Sequence, residues 1–137
     1  MLDSATGSVP VTGSRISGVA FYSYQVELSI ESDDGKHLLL AIGGPFRLLA
    51  PDGVCADLNP EGEWTALAGV LSLKFAALDE LTIDALSNVR LATSTGWTIE
   101  VSGGGGYENW KLSGFDRMWV GGAGGGEPTY WPPSTPT

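Results

Sequence analysis

With 137 residues and a formal net charge of −9, the chain is the size of one domain and long enough to bury about two-thirds of its unfolded surface without cross-links. That acidity repels nucleic acid phosphates and anionic lipid headgroups, which argues against a nucleic acid or membrane role and leaves a basic protein as the partner class. The single cysteine, Cys55, allows no internal disulfide and reads as a buried, inert thiol. No run reaches the roughly 18 apolar residues of a membrane span, and the Met1-Leu2-Asp3-Ser4 start lacks the features of an export signal, so a soluble cytoplasmic protein is expected.

Residues 1–14 are small and polar, with Gly7, Pro10 and Gly13, and read as a flexible arm ahead of a single β-rich domain at 15–131. Ile16 to Phe21 carries its apolar residues out of phase with those that follow, which calls for a bulge or bend near Phe21-Tyr22. From Tyr22 to Ile30 the even positions Tyr22, Tyr24, Val26, Leu28 and Ile30 are apolar and the odd ones polar, the alternation of a half-buried strand. The next arm buries Leu38, Leu40 and Ile42. Facing residues must share a face, so the turn has three residues, Asp33-Asp34-Gly35, which opposes Ile30 to Leu38, Leu28 to Leu40 and Val26 to Ile42, with Gly35 in the left-handed conformation.

Gly43-Gly44-Pro45 breaks the run before a third strand at Phe46–Leu49. Pro51-Asp52-Gly53 turns the chain into a fourth, Val54–Leu58. Asn59-Pro60-Glu61 has the capping side chain, first-turn proline and acid of a helix start, and Trp64, Leu67, Ala68 and Leu71 give one covering helix over about 60–71. Leu73, Phe75, Ala77, Leu81, Ile83 and Ala85 keep one parity and read as extended. Val89–Thr93 and Trp97–Val101 flank Ser94-Thr95-Gly96 as a second three-residue hairpin, opposing Leu91 to Ile99 and Arg90 to Glu100. The two hairpins recur at an offset of 61 residues, which also sets Phe46 against Tyr107 and Gly53 against Gly114 and suggests two similar β units. The fold expected is all-β, a barrel or a two-sheet sandwich of antiparallel hairpins with one short covering helix. Gly121–Gly126 and the Pro-rich end leave the last strand's position open, and residues 132–137 read as a disordered tail.

The chemical inventory is small. His37 is the only histidine and stands opposite Glu31 on the wet face, without a nucleophile or oxyanion donors nearby. Cys55 and His37 are too few for a zinc site, and Asp33-Asp34-Gly35 lacks the spaced oxygens of a calcium loop. Gly103–Gly106 lacks the Lys-Ser/Thr of a phosphate loop and reads as a flexible connection. No cofactor or metal is therefore expected, nor an enzyme. Between Asp57 and Asp84 the acids Asp57, Glu61, Glu63, Asp79, Glu80 and Asp84 face Lys74 alone, the residues best placed to steer a basic partner. Aromatics gather after Gly106, at Tyr107, Trp110, Phe115, Trp119, Tyr130 and Trp131, where they fill a core or an interface.

Gly18-Val-Ala-Phe-Tyr-Ser-Tyr-Gln-Val-Glu-Leu28, Asp34-Gly35, Gly44-Pro45-Phe46, Pro51-Asp52-Gly53, Tyr107-Glu-Asn-Trp-Lys-Leu-Ser-Gly114 and Tyr130-Trp131 together resemble a family of small, mostly actinobacterial proteins catalogued only as a domain of unknown function. The resemblance spans about 16–131 and implies no activity, catalytic residue or cofactor. In size and acidity such proteins are similar to immunity proteins that neutralise toxins, an association at the level of style. Two functions follow as expectations. The first is a non-enzymatic interaction module, such as an acidic inhibitor or immunity protein bound to a basic, toxin-like partner. The alternative is a small-molecule-binding barrel with a cavity lined by Tyr22, Tyr24, Trp64 and Trp97.

Overall fold

The computed structural model describes residues 7–22, 24–60, 67–103, 109–114, 117–121 and 129–131. Its strands in chain order are β1 (Gly7–Ser8), β2 (Ser14–Tyr22), β3 (Gln25–Ser32), β4 (His37–Ile42), β5 (Phe46–Leu49), β6 (Cys55–Leu58), β7 (Leu78–Ile83), β8 (Val89–Thr93), β9 (Thr98–Val101), β10 (Trp110–Gly114), β11 (Arg117–Gly121) and β12 (Thr129–Trp131), with a 3-10 helix at Ala68–Leu73. They form two antiparallel sheets rather than a closed barrel, one ordered β1-β7-β8-β9-β5-β6 and the other β12-β11-β10-β4-β3-β2. We call these the first and second sheets. Alternation supplies the core between them: Val26, Leu28, Ile30, Leu38, Leu40, Ile42 and Leu112 from the second sheet meet Leu81, Ile83, Val89, Leu91, Ile99 and Val101 from the first, all buried.

Both hairpin registers expected from the alternation are present. Ile30 pairs with Leu38 and Leu28 with Leu40, while Leu91 pairs with Ile99 and Val89 with Val101. Gly35 and Gly96 take φ of 82° and 95°, and the amides of Ser32 and Thr93 donate to the carbonyls of Lys36 and Trp97 across three intervening residues. The loops around Gly53 and Ser87 close the same way, from Ala50 to Val54 and from Asp84 to Asn88. Ser87 has φ 62° and no glycine to ease it.

The recurrence takes an exchanged form. β2-β3-β4 and β7-β8-β9 are equivalent meanders, but β5-β6 leaves its own meander to pair with β9, and β10-β11 crosses to pair with β4. Phe46 lies opposite Val101, and the residue opposite Leu40 is Leu112. Leu112, not Tyr107, is therefore the counterpart of Phe46: the longer glycine-rich connection in the second half delays its hairpin strand. The same shift removes the equivalence of Gly53 with Gly114, which sits inside the β10 register opposite Leu38.

Four other expectations change. Tyr22 pairs with Gln25, so the chain reverses between them and the phase change comes from that turn, while the bulge in β2 falls at Ser17. Residues 7–13 are not a loose arm: β1 pairs with β7, and Val9 and Val11, alternating around Pro10, are buried. The described part of the expected helix is 3-10, burying Leu67, Val70 and Leu73 at spacing three while Leu71 is exposed; residues 61–66, with Trp64, lie outside the described residues. The run from Leu73 to Ala85 is a strand only over Leu78–Ile83, because a bulge at Asp79 resets its phase and Phe75 turns outward at φ 70°. Residues 104–106 and the tail at 132–137 also lie outside the described residues.

Candidate functional site

On the outer face of the first sheet, one row of cross-strand partners crosses five strands: Thr82, Arg90, Glu100, Arg47 and Asp57. The core-facing residues beside them are apolar, so strand alternation alone drives these five outward. Their charges alternate in sign from Arg90 to Asp57. Arg47 Nε lies 3.1 Å from Asp57 Oδ1, and Asp57 raises the guanidinium's affinity for its proton. Arg90 stands opposite Glu100 as the hairpin register requires, but its Nη1 pairs with Glu80 Oε2 on the neighbouring strand at 3.0 Å. Exposed pairs of this kind contribute little stability, about 0–1 kcal/mol each, so their main effect is to fix where the charges stand.

The row floors an open groove of about 570 Å³ whose end is formed by Pro45, Asp84, Asn88 and Ser102. Asp84 builds that end. Its Oδ1 accepts the amides of Leu86 and Asn88, each at 2.9 Å, and its Oδ2 accepts Asn88 Nδ2 at 3.0 Å. Burial opposes ionisation of this carboxyl, but the bonds from Asn88 and Leu86 outweigh it and hold its pKa below the ordinary value. Asn88 in turn accepts the Gly103 amide through Oδ1 at 2.9 Å, and the Ser87 carbonyl accepts Trp110 Nε1, so the groove's end is anchored in the core. Asn109 Nδ2 donates to the Ser102 carbonyl at 2.6 Å close by.

Of the acids singled out from sequence, Asp57 and Asp84 line this groove, and Glu80 is tied to it through Arg90. Asp79 occupies the β7 bulge and does not line it. Glu61 and Glu63 lie outside the described residues. Glu100 and Arg47 were missed, although the register that sets Arg90 opposite Glu100 was readable; only the exchange of β5 into this sheet brings Arg47 and Asp57 alongside. Among the described residues the expected aromatic cavity is not formed. Tyr22 and Tyr24 are exposed at the tip of the β2-β3 hairpin, and Trp97 packs against the edge of the core. Cys55 is exposed on the outer strand β6, because Ala56 and Leu58 take the inward positions there. Among the described residues no three of His, Cys, Asp or Glu converge as metal ligands. No described helix is long and apolar enough to cross a membrane.

No curated protein and no solved structure matches the chain. Residues 8–132 match the model of a family of unknown function, DUF6188, and since that match spans nearly the whole two-sheet domain, the chain belongs to this family.

Proposed function

We propose that the protein is a non-enzymatic interaction module that binds a basic segment of a protein partner in the groove on its first sheet. The observation that supports this best is the composition of the groove: Asp57, Asp84 and Glu100 line it against Arg47 and Arg90, and Glu80 draws Arg90 aside. An arginine or lysine entering the groove meets two carboxylates already held in place, Asp57 by Arg47 and Asp84 by the amides of Leu86 and Asn88, with little reorganisation to make. The backbone-bonded Asp84 marks a fixed end for such a segment. An acidic inhibitor or immunity protein facing a basic, toxin-like partner is the most concrete form of this reading, consistent with the net charge of −9.

The test compares the native chain with a variant carrying Asp57→Lys, Glu80→Lys and Glu100→Lys, its fold checked by circular dichroism. Both are used to capture partners from the source cell, and the association rate of any captured partner is followed against salt. A basic protein held by the native surface, lost from the reversed one, and binding more slowly as the Debye length contracts to about 10 Å at 0.1 M salt is the expected result. Identical partners on both surfaces, or none on either, would reduce the acidic groove to a solubility feature.

A further inference from the structure

The second surface that asks for a partner is the outer edge of β2. Among the described residues no strand pairs with it between Gly18 and Tyr22. Ile16 is different: its amide donates to the Ala76 carbonyl at 2.9 Å and its carbonyl accepts the Phe75 amide at 2.6 Å, so the chain from Phe75 to Ala77 closes the edge there and no further. Because Tyr22 and Gln25 close a tight turn, ladder alternation directs the amide and carbonyl of Val19 and Phe21 outward along the open stretch. Edge strands are usually blunted by charge, proline or shortness. β1 is two residues long and β6 carries Asp57, whereas β2 is the longest of the outer strands and has no charged residue from Ile16 to Val26.

Exposed apolar side chains concentrate around this edge. Phe21 is 36% exposed, Tyr22 59% and Tyr24 69% at one end, and Phe75 70% and Leu71 51% at the other. Phe75 is held at φ 70° with Lys74 Nζ 5.1 Å from its ring centre, a left-handed conformation that is costly for an aromatic residue and is not repaid by burial within the chain.

We propose that this edge is the dimer interface of the protein, β2 pairing antiparallel with β2 of a second copy about a two-fold axis at Ala20. The register is self-complementary. Val19 of each copy exchanges both backbone hydrogen bonds with Phe21 of the other, using the outward groups, and Ala20 faces its own equivalent in a non-hydrogen-bonded pair. Tyr22 then covers Gly18 on the outer face. A Cβ at Gly18 would meet only the Ser29 side chain, at 3.7 Å and beyond, so none of the described residues demands glycine there, while an opposing tyrosine ring gains room from it. On the inner face Phe21 covers Val19. The pairing ends where Phe75 stands, and the turn of the second copy brings Tyr24 against that ring, so the most exposed aromatics at the two ends of the edge cover each other. An uncharged strand is also where two copies with a net charge of −9 approach with the least repulsion.

The experiment is sedimentation equilibrium of the full chain, with cross-linking as its register check. The native protein should sediment as a reversible dimer, and Phe21→Lys with Tyr22→Lys should weaken association at least tenfold in Kd without altering the circular dichroism spectrum. In a Cys55→Ser background, Ala20→Cys should oxidise to a covalent dimer, since directly opposed non-hydrogen-bonded positions bring Cβ atoms within disulfide range, whereas Ser29→Cys, one strand further in, should not. A native chain that stays monomeric to roughly 100 μM, the weak end of functional association, overturns the proposal. So does a dimer that survives the lysines, or one that Ala20→Cys fails to trap.

Discussion

Trp110 Nε1 donates to the carbonyl oxygen of Ser87 at 2.7 Å, across 23 positions of sequence and from one sheet to the other. The indole is buried in the core, and Gly121 lies against its ring so closely that a side chain there would overlap it. One side chain thus joins β10 in the second sheet to the loop that forms the end of the groove in the first. Trp110→Phe removes this buried donor and part of the ring volume, and is expected to cost roughly 3 kcal/mol. Urea unfolding should show a lower midpoint at an unchanged slope.

Two glycines separate conformational from steric need. Gly35 has φ 82° with nothing within 4 Å of an added Cβ, so Gly35→Ala should cost only the left-handed penalty of about 1–2 kcal/mol. Gly103 is buried against the Leu86 carbonyl and Ser87, and its Cβ would overlap both. Gly103→Ala should therefore lose more than Gly35→Ala, roughly 3 kcal/mol or above, with the difference read from paired thermal melts.

His37 stands opposite Glu31 with Nδ1 4.0 Å from Oε2, as the hairpin register predicts, and its side chain is largely in water. His37→Ala should change stability by only a few tenths of a kcal/mol. A loss of several kcal/mol in the same urea assay would show that the histidine is engaged elsewhere.

Asp84 gives a pH dependence with a defined sign. Its pKa is held below that of an ordinary aspartate, so its ionised form stabilises the fold above the ordinary value, and the contribution disappears as pH falls through the lowered folded value. Asp84→Ala should cost about 1 kcal/mol at neutral pH through the lost loop bonds. The gap between native and variant urea midpoints should narrow towards pH 3 and below; a constant gap would mean that the loop does not depend on the charge.

The parts of this fold that could be read from sequence are those governed by nearest neighbours along a strand. Val26, Leu28 and Ile30 against Leu38, Leu40 and Ile42 leave one register, and glycine at 35 and 96 marks the left-handed position. What escaped depends on distant partners. Ser17 and Asp79 are extra residues whose polar character resembles any outward strand position, so the bulges that contain them have no compositional sign. Val9 and Val11 do alternate, but with Pro10 between them they resemble a loop until β7 is alongside. The groove was only half legible for the same reason: Arg90 and Glu100 belong to one readable hairpin, while Arg47 and Asp57 arrive from a hairpin in the other half of the chain.

The exchange of hairpins also sets a timetable for the nascent chain. As the ribosome extends it, β4 can fold onto β3 at once, but its other side stays open until β10, whose Gly114 pairs with Leu38. β5 and β6 wait likewise for β9. Neither half contains a finished layer, so neither can act as an early folding unit, and the barrier should be dominated by closure of these long loops, giving refolding in the range of about milliseconds to seconds typical of non-local β topologies. Until the last third of the chain emerges, two apolar strand edges remain available to chaperones and to other growing copies.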